Sequence, residues 1–307
     1  MLNLKISNLN LNNPIILASG ILGVSYYSMK RVIEAGAGAV TTKSIGPKPR
    51  KGYKNPSVIE LYPGTFLNSV GLANPGVDEF CKEIKKLKKI EFPLIASIFG
   101  NTEETFSKIA LKMEEIGFAA VELNISCPHA EVSSIGISSE LTHSLVKRIS
   151  REISIPLFVK LNPNVTDITE IALAAEQGGA NAVVAINTVE AMSIDTNIRR
   201  PILSHGSGGL SGKAIHPIAV KKVYDLYKVL KIPIIGCGGV FDYKDAIEFF
   251  LAGASAIQIG TALYQNLEII AEIKRNLENY LKDNDFHSIL DIKGLAHEYQ
   301  MQEVPDY

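Results

Sequence analysis

The stretch IPLFVKLNPNVTDITEIALAAEQGGANAVVAIN, residues 155–187, carries the pattern that decides the fold. Pro156 opens an apolar run, and proline suits the start of a strand because it cannot continue a helix. A helix-period segment follows, ends at Gly178, and leads into a second apolar run. Glycine just past a helix is the usual left-handed cap. The stretch therefore predicts a strand, a helix and a second strand.

The same alternation extends over the chain. Proline-led runs are NPIILASG, FPLIASIFG, IPLFVKLN and IPIIGCGG, which begin at residues 13, 92, 155 and 232. Glycine-led runs are GAGAVTTKS, GFAAVELNIS, GGANAVVAIN and AGASAIQIGT, which begin at residues 36, 117, 178 and 252. Such apolar runs are typical of strands buried on both faces of a parallel sheet. Eight strand–helix units predict an α/β (β/α)8 TIM barrel formed as a single domain by residues 1–307. A doubly wound sheet is the alternative, but it rarely needs eight such regular units.

Composition limits the possible functions. The chain has 307 residues, 46% hydrophobic and 21% charged, with a net charge of −1, so charge does not indicate a nucleic-acid partner. No apolar run reaches membrane-spanning length, and the N-terminal MLNLKISNLN does not resemble a signal peptide. Cys81, Cys127 and Cys237 lie far apart, which argues against a disulfide framework and predicts no metal site. A cytoplasmic enzyme is expected.

Two segments are longer than ordinary loops. Gly46–Asn74 follows the second predicted strand and is expected to form a small hairpin, and Thr188–Gly212 follows the sixth as a long loop. Long loops in compact domains are usually functional. Both leave the carboxyl ends of strands, where barrel active sites are built. Residues 283–307 are expected to form a polar tail after the last helix.

Polar residues and glycines mark the carboxyl ends of the predicted strands. They are Ser19, Gly20, Lys43, Ser44, Ser97, Asn124, Cys127, Lys160, Asn162, Asn187, Thr188, Gly238, Gly239, Gly260 and Thr261. A barrel would gather them around one mouth.

Glycines after the last two strands indicate a phosphate site. Gly238–Gly239 and Gly260–Thr261 offer backbone N–H donors, and Gly212 in GGLSG adds another from the long loop. A tight turn is the alternative for a single glycine pair. Two such sites on adjacent strands favour phosphate.

Amides and lysines supply the other polar groups of the mouth. Asn68, Asn124 and Asn187 can each donate and accept, which suits a planar ligand edged with carbonyls and N–H groups. A single strand-end lysine is as often a surface residue with its head in water. Lys43 and Lys160 together at one mouth indicate stabilisation of an anion.

Cys127 is the candidate for the chemistry. Most free cysteines are small buried hydrophobes, an interpretation that fits Cys81 and Cys237. Cys127 instead leaves its strand on a polar loop beside Pro128, where a thiolate would act as nucleophile or general base. A base is preferred, because adjacency in sequence does not place the His129 ring against the sulfur.

Nine ordered motifs resemble the class 1 dihydroorotate dehydrogenases, flavin enzymes of pyrimidine biosynthesis. They are ILASG, TTKSIGPKPR, LNSVGLANPG, ELNISCP, VKLNPNVTDI, AINT, GGLSG, IIGCGGV and AIQIGTAL. The stretch from Ala185 to Gly212 looks more like the NAD-linked 1B subclass than the fumarate-using 1A subclass.

The resemblance implies oxidation of dihydroorotate to orotate with one FMN per subunit. Cys127 would remove the C5 proton while hydride passes from C6 to flavin N5, and Lys160 would stabilise the reduced ring. The implied FMN contacts are Ser19, Lys43, Ser44, Ser97, Asn124, Lys160, Ile186, Gly212, Gly238, Gly239, Gly260 and Thr261. The implied substrate contacts are Lys43, Asn68, Ser69, Val70, Gly71, Leu72, Asn124, Asn187 and Thr188.

The resemblance also implies a partner subunit that carries FAD and a [2Fe-2S] cluster and passes electrons to NAD. Two catalytic subunits would form a homodimer at the centre of a heterotetramer. The family's usual SCPN is SCPH here, with His129 in place of the asparagine, and the following loop is shorter. These departures affect the expected lid over the substrate.

Two rival functions follow from the same residues. One is another FMN barrel reductase acting on pyrimidines, such as a dihydrouridine synthase, which should carry a basic RNA-binding extension. The other is a phosphate-ligand barrel enzyme in which Lys160 forms a Schiff base. Flavin colour, and its bleaching by dihydroorotate, would distinguish the three.

Overall fold

The computed structural model describes residues 1–86, 92–125 and 135–299. Its strands are β1 (Leu4–Ile6), β2 (Leu9–Leu11), β3 (Ile15–Leu17), β4 (Ala39–Thr41), β5 (Val58–Tyr62), β6 (Thr65–Asn68), β7 (Leu94–Ile98), β8 (Ala120–Asn124), β9 (Leu157–Lys160), β10 (Ala182–Ala185), β11 (Val189–Ala191), β12 (Ile194–Asp195), β13 (Arg200–Pro201), β14 (Gly208–Gly212), β15 (Ile234–Cys237) and β16 (Ala256–Ile259).

Eight of these strands close into a barrel in the order β3, β4, β7, β8, β9, β10, β15, β16. Each neighbouring pair is parallel, and β16 pairs with β3 to complete the ring. Every barrel strand lies within one of the eight predicted apolar runs. The predicted TIM barrel is confirmed.

Helices join the strands and cover the outside of the barrel. They are α1 (Tyr26–Glu34), α2 (Val77–Lys85), α3 (Glu103–Glu115), α4 (Ser139–Glu152), α5 (Ile168–Gln177), α6 (His216–Tyr227), α7 (Tyr243–Ala252) and α8 (Glu268–Asp283). Side chains of Ser25, Thr102, Ser138, Asp167 and Asp242 cap five of them by accepting backbone N–H bonds. None of the helices within the described ranges is long and apolar enough to cross a membrane.

The N-terminal hairpin of β1 and β2 plugs one end of the barrel, a feature that the sequence interpretation missed. Leu4, Ile6, Leu9 and Leu11 belong to the same core cluster as residues from all eight barrel strands, most of them the first or second residue of the strand. Those inward residues are Ile16, Ala39, Ile95, Ala120, Phe158, Ala182, Val184, Ile235 and Ala256. The amino-terminal end is therefore closed by apolar side chains, and the opposite end remains for a ligand.

The two long segments form one small sheet. The predicted hairpin is β5 and β6, and it continues through β14 to β11 in an antiparallel four-stranded sheet. Residues 194–201 form a second hairpin of β12 and β13. The segment after the sixth barrel strand is thus largely extended structure, paired with the segment after the second.

The expectation of a polar tail is wrong for the described part of residues 283–307. Residues 289–292 and 295–297 form 3-10 helices, and Ile289 and Ile292 are fully buried. The His297 ring stacks on Tyr224 at 3.8 Å between centroids, and its Nε2 lies 3.0 Å from the Ala252 carbonyl oxygen. The sequence signal for this packing was the short apolar repeat around Ile289. Burial against α7 explains why the repeat is apolar.

Removal of the buried Ile292 side chain tests this packing. We expect Ile292→Ala to lower the free energy of unfolding by about 2–5 kcal/mol, because Ile292 is fully buried. Leu290, on the same turn, is 48% exposed, so Leu290→Ala is the matched control and should cost well under half as much. Denaturant unfolding measures both, and equal losses would contradict the buried packing.

Candidate active site

The pleat of the barrel strands directs alternate side chains into the barrel in layers. Ala120 lies in the inner core cluster, so Glu122 and Asn124, two and four residues later on β8, face the same way. The same rule places Lys160 above Phe158 on β9 and Gln258 above Ala256 on β16. Polar side chains therefore form the upper layers of the interior, above an apolar floor.

A chain of hydrogen bonds joins five predicted site residues at the mouth. The Ser44 hydroxyl lies 3.2 Å from that of Ser19 and 2.9 Å from that of Ser97. Asn124 Nδ2 donates to Ser44 Oγ at 2.9 Å, and Asn187 Nδ2 donates to Asn124 Oδ1 at 3.4 Å. These hydrogen bonds link residues that lie in or just after five different strands, so each side chain is oriented by its neighbours.

The small sheet extends this chain toward the predicted substrate segment. Asn68 Nδ2 donates to the Gly209 carbonyl at 3.0 Å, across the pairing of β6 with β14. Gly209 packs so closely on Thr188 that a Cβ would overlap the threonine hydroxyl. Thr188 N in turn donates to Asn187 Oδ1 at 2.8 Å. Asn68 is thereby connected to the mouth through backbone and side-chain contacts.

Residues 69–72, the rest of the predicted substrate segment, follow Asn68 and belong to no strand. Ser69 is buried, and its N–H donates to the Ser57 carbonyl at 2.8 Å. The Val70 carbonyl accepts from Tyr53 N at 3.2 Å. Gly71 and Leu72 both have positive φ, of 73° and 55°. Backbone contacts to residues 50–57 therefore hold this segment.

Lys43 and Lys160 lie at the mouth in different environments. Lys43 is half-buried after β4, and desolvation lowers the pKa of its ammonium from the ordinary value. Lys160 is almost completely buried, and its Nζ donates to Gln258 Oε1 at 2.7 Å. Both ammonium groups are at least partly withdrawn from water, which strengthens their interaction with an anionic ligand.

Below Lys160 lie polar residues that the sequence interpretation missed. Gln258 Nε2 donates to Glu122 Oε2 at 2.7 Å and lies 3.3 Å from Thr41 Oγ1. Glu122 has no exposed surface. The available signal was a carboxylate and an amide interrupting apolar strands, two residues before Asn124 and Gly260 respectively.

The glycines of the predicted phosphate site meet at a close backbone approach. Gly212 has φ of 89°, and a Cβ there would overlap the Gly64 carbonyl oxygen. A Cβ on Gly239, whose φ is 69°, would lie 2.7 Å from the Gly212 carbonyl oxygen. Behind them, His216 Nδ1 lies 3.0 Å from the Gly238 carbonyl oxygen. We call Gly212, Gly238 and Gly239, with Gly260 and Thr261 at the end of β16, the glycine cradle.

Two predicted site residues remain, Ile186 and Cys127. Ile186 is buried and directly follows β10, where it belongs to the core cluster that also contains Ile215 and Val240. Cys127, with Pro128, His129 and the rest of residues 126–134, lies outside the described residues. The described neighbours Asn124 and Ile125 lead into that segment from the mouth.

The described ranges contain no cluster of three histidine, cysteine, aspartate or glutamate side chains placed to hold a metal ion. The donors gathered at the mouth are instead hydroxyls, amides, ammonium groups and backbone N–H groups. Such a set suits a polar, anionic organic ligand.

Comparisons with known proteins agree with the motifs. The family model described as "Dihydroorotate dehydrogenase" matches residues 1–281. The chain is 50% identical to the dihydroorotate dehydrogenase B (NAD(+)) catalytic subunit of Methanocella arvoryzae, over 94% of this chain and 95% of the relative. It is 46% identical to the protein of the same name from Methanocaldococcus jannaschii, over 97% and 99% of the two chains. The corresponding protein of Pyrococcus horikoshii is 48% identical over 96% and 98%. The chain belongs to the dihydroorotate dehydrogenase family.

Proposed function

We propose that this chain oxidises dihydroorotate to orotate, with FMN as its resident cofactor, in de novo pyrimidine biosynthesis. The observation that carries the proposal is the continuous hydrogen-bonded mouth from Ser19 to Asn187, with the buried ammonium of Lys160 beside it. Membership of the family supports the same reaction. When bound, FMN supplies the hydride acceptor.

The residues present fit FMN. A Cβ on Gly212 or Gly239 would crowd neighbouring protein atoms, so glycine lets these loops pack closely, and their bare backbone N–H groups suit a phosphate. Ser44, Ser97 and Asn124 offer hydroxyl and amide groups to the polar edge of a ring. Lys160 would face the N1/C2 edge, and Ser19, Lys43, Ile186, Gly238, Gly260 and Thr261 complete the proposed contacts.

Dihydroorotate would be held by charge and by amides. Lys43 is the proposed partner of the substrate carboxylate, since a partly desolvated ammonium interacts more strongly with an anion than one in water. Asn124, Asn187 and Thr188, with residues 68–72, would bond the ring carbonyls and N–H groups. Because the amides already bond one another, their orientation is set before the substrate arrives, which lowers the cost of binding.

Cys127 is the proposed general base. Its sulfur would take the proton from C5, while the hydride leaves C6 for the cofactor. Proton and hydride removal together account for both hydrogens lost in forming the double bond of orotate. A thiol has a pKa of about 8.5 in water, so activity should rise with pH as the thiolate forms.

The names of the relatives indicate that a partner subunit exists. Their printed names describe a catalytic subunit of an NAD(+)-linked enzyme, which implies a second subunit. For this chain we propose a homodimer core within a heterotetramer, in which the partner carries FAD and a [2Fe-2S] cluster and passes electrons to NAD. We further propose that residues 1–307 act as one FMN-binding domain in the cytoplasm.

The experiment that tests the function uses colour. The purified chain should absorb in the flavin visible bands, and dihydroorotate added without oxygen should bleach them. NADH should form only when the partner subunit is present. A colourless protein would contradict the assignment and favour a Schiff base at Lys160. A yellow protein that only other pyrimidines bleach would favour another FMN reductase.

Replacement of Cys127 separates cofactor binding from chemistry. Cys127→Ala should keep FMN yet lose turnover by about 10²–10⁴-fold, because general base catalysis contributes that much. Cys127→Ser should retain part of the activity, shifted to higher pH since a hydroxyl is the weaker acid. Stopped-flow flavin reduction against pH measures both, and a flat wild-type profile would argue against this base.

Lys43 makes substrate binding depend on pH. Burial lowers the pKa of Lys43, and only its charged form attracts the carboxylate, so dihydroorotate should bind more weakly as pH rises through that lowered value. The Kd is measured by flavin spectral change in the Cys127→Ala background, which removes turnover. Adding Lys43→Ala should raise the Kd and abolish the pH dependence. The same dependence in both proteins would exclude Lys43 as its source.

Gly212→Ala tests the cradle. A methyl group there meets the Gly64 carbonyl, so the cradle must shift, and FMN affinity should fall by about tenfold or more. Gly117→Ala is the matched control, because Gly117 has a similar φ of 93° but open space around it. Titration of the apoprotein with FMN measures both. Unchanged affinity in Gly212→Ala would place the phosphate elsewhere.

A further inference from the structure

Inside the barrel, one buried amide separates a buried lysine at the mouth from a buried glutamate beneath it. Lys160 and Glu122 project inward from neighbouring strands β9 and β8, and Gln258 projects from β16. Glu122 has no exposed surface, Gln258 is 1% exposed and Lys160 is 5% exposed. Gln258 bonds both charged groups at 2.7 Å.

The neighbours of Gln258 dictate the orientation of its amide. An ammonium can only donate, so the carbonyl oxygen of Gln258 must face Lys160. The amide nitrogen then faces Glu122 Oε2, which accepts, and also points toward Thr41 Oγ1. With the Gln258 amide reversed, its N–H donors would point at the Lys160 ammonium, which cannot accept a hydrogen bond. Gln258 is therefore locked between two groups of opposite charge.

The remaining oxygen of the carboxylate has no such partner. Glu122 Oε1 is buried and makes no hydrogen bond to the described residues. Buried charges are normally paired, and Lys160 lies one amide away as the compensating charge. Without the intervening amide, Lys160 and Glu122 would attract each other directly, and the ammonium would be drawn down from the mouth.

We propose that Gln258 is a positioning residue, which holds the Lys160 ammonium under the ligand and keeps it from pairing directly with Glu122. Glu122 then acts as a fixed negative charge, which limits how strongly the site favours the reduced form of the cofactor. The proposal rests on the proposed function, in which Lys160 faces the flavin. One donor of the ammonium goes to Gln258, which leaves two for the ligand.

Two variants with opposite expected effects test this proposal through the FMN midpoint potential. Glu122→Gln keeps the shape and removes the negative charge, so the reduced cofactor should be favoured by about tenfold, about 30 mV for two electrons. Gln258→Leu removes the amide, so the potential should fall and hydride transfer should slow while the KM for dihydroorotate changes little. Redox titration and rapid-mixing kinetics measure these quantities.

A matched control removes a carboxylate far from the mouth. Glu176, near the end of α5, accepts from the backbone N–H groups of Lys231 and Ile232 before β15 begins. Glu176→Gln makes the same chemical change and should leave the potential at the wild-type value. Should Gln258→Leu not fold, Gln258→Glu places a carboxylate directly on Lys160 and should also lower the potential.

The outcomes separate this proposal from the function. If the wild type is yellow and bleached by dihydroorotate, but Glu122→Gln and the Gln258 variants keep its potential, the positioning role is overturned and the function stands. If the wild type binds no flavin, the function itself fails. Equal shifts in Glu176→Gln and Glu122→Gln would also overturn the proposal, because the effect would not be local.

Discussion

Closure of the parallel barrel is the constraint on which the rest of the structure depends. Pairing of β16 with β3 completes the ring, and all eight carboxyl ends then meet at one rim. Strand pleat decides which residues enter the interior, with apolar side chains at the floor and polar ones above. The site is polar because polar residues occur at the inward positions nearest that rim.

Hydrogen bonding between site residues makes the mouth a single unit. Ser44 bonds three other side chains, and Asn124 bonds Ser44 and Asn187. A ligand that binds there meets groups whose directions are already set, so less conformational entropy is lost. The small sheet extends this order to Asn68, which lies outside the eight barrel strands.

Among the described residues, Lys160 and Glu122 balance charge inside the barrel without a direct ion pair. Lys160 and Glu122 are both withdrawn from water, and Gln258 bonds to each. Burying two charges is costly, and a direct pair would neutralise the ammonium at the place where the proposed function requires an anion to be stabilised. The intervening amide leaves the positive charge at the mouth and satisfies part of the hydrogen bonding of both groups.

The sequence by itself determined the eight strands, most of the helices and the residues at the strand ends, because proline, glycine and apolar periodicity act over a few neighbouring positions. It also revealed the family, through motifs that run in order along the chain. It did not predict the N-terminal plug or the packed segment around Ile292. Their apolar patterns are short, and only the surfaces on which they pack show that they are buried. Nor did it pair Glu122 with Gln258, since these residues are separated by 136 positions and meet only across the closed barrel. Local sequence specified the helices and strands, whereas the tertiary structure decided which side chains contact one another. The reason is that a polar side chain buried inside a closed barrel can bond only to the few groups that the barrel brings within reach.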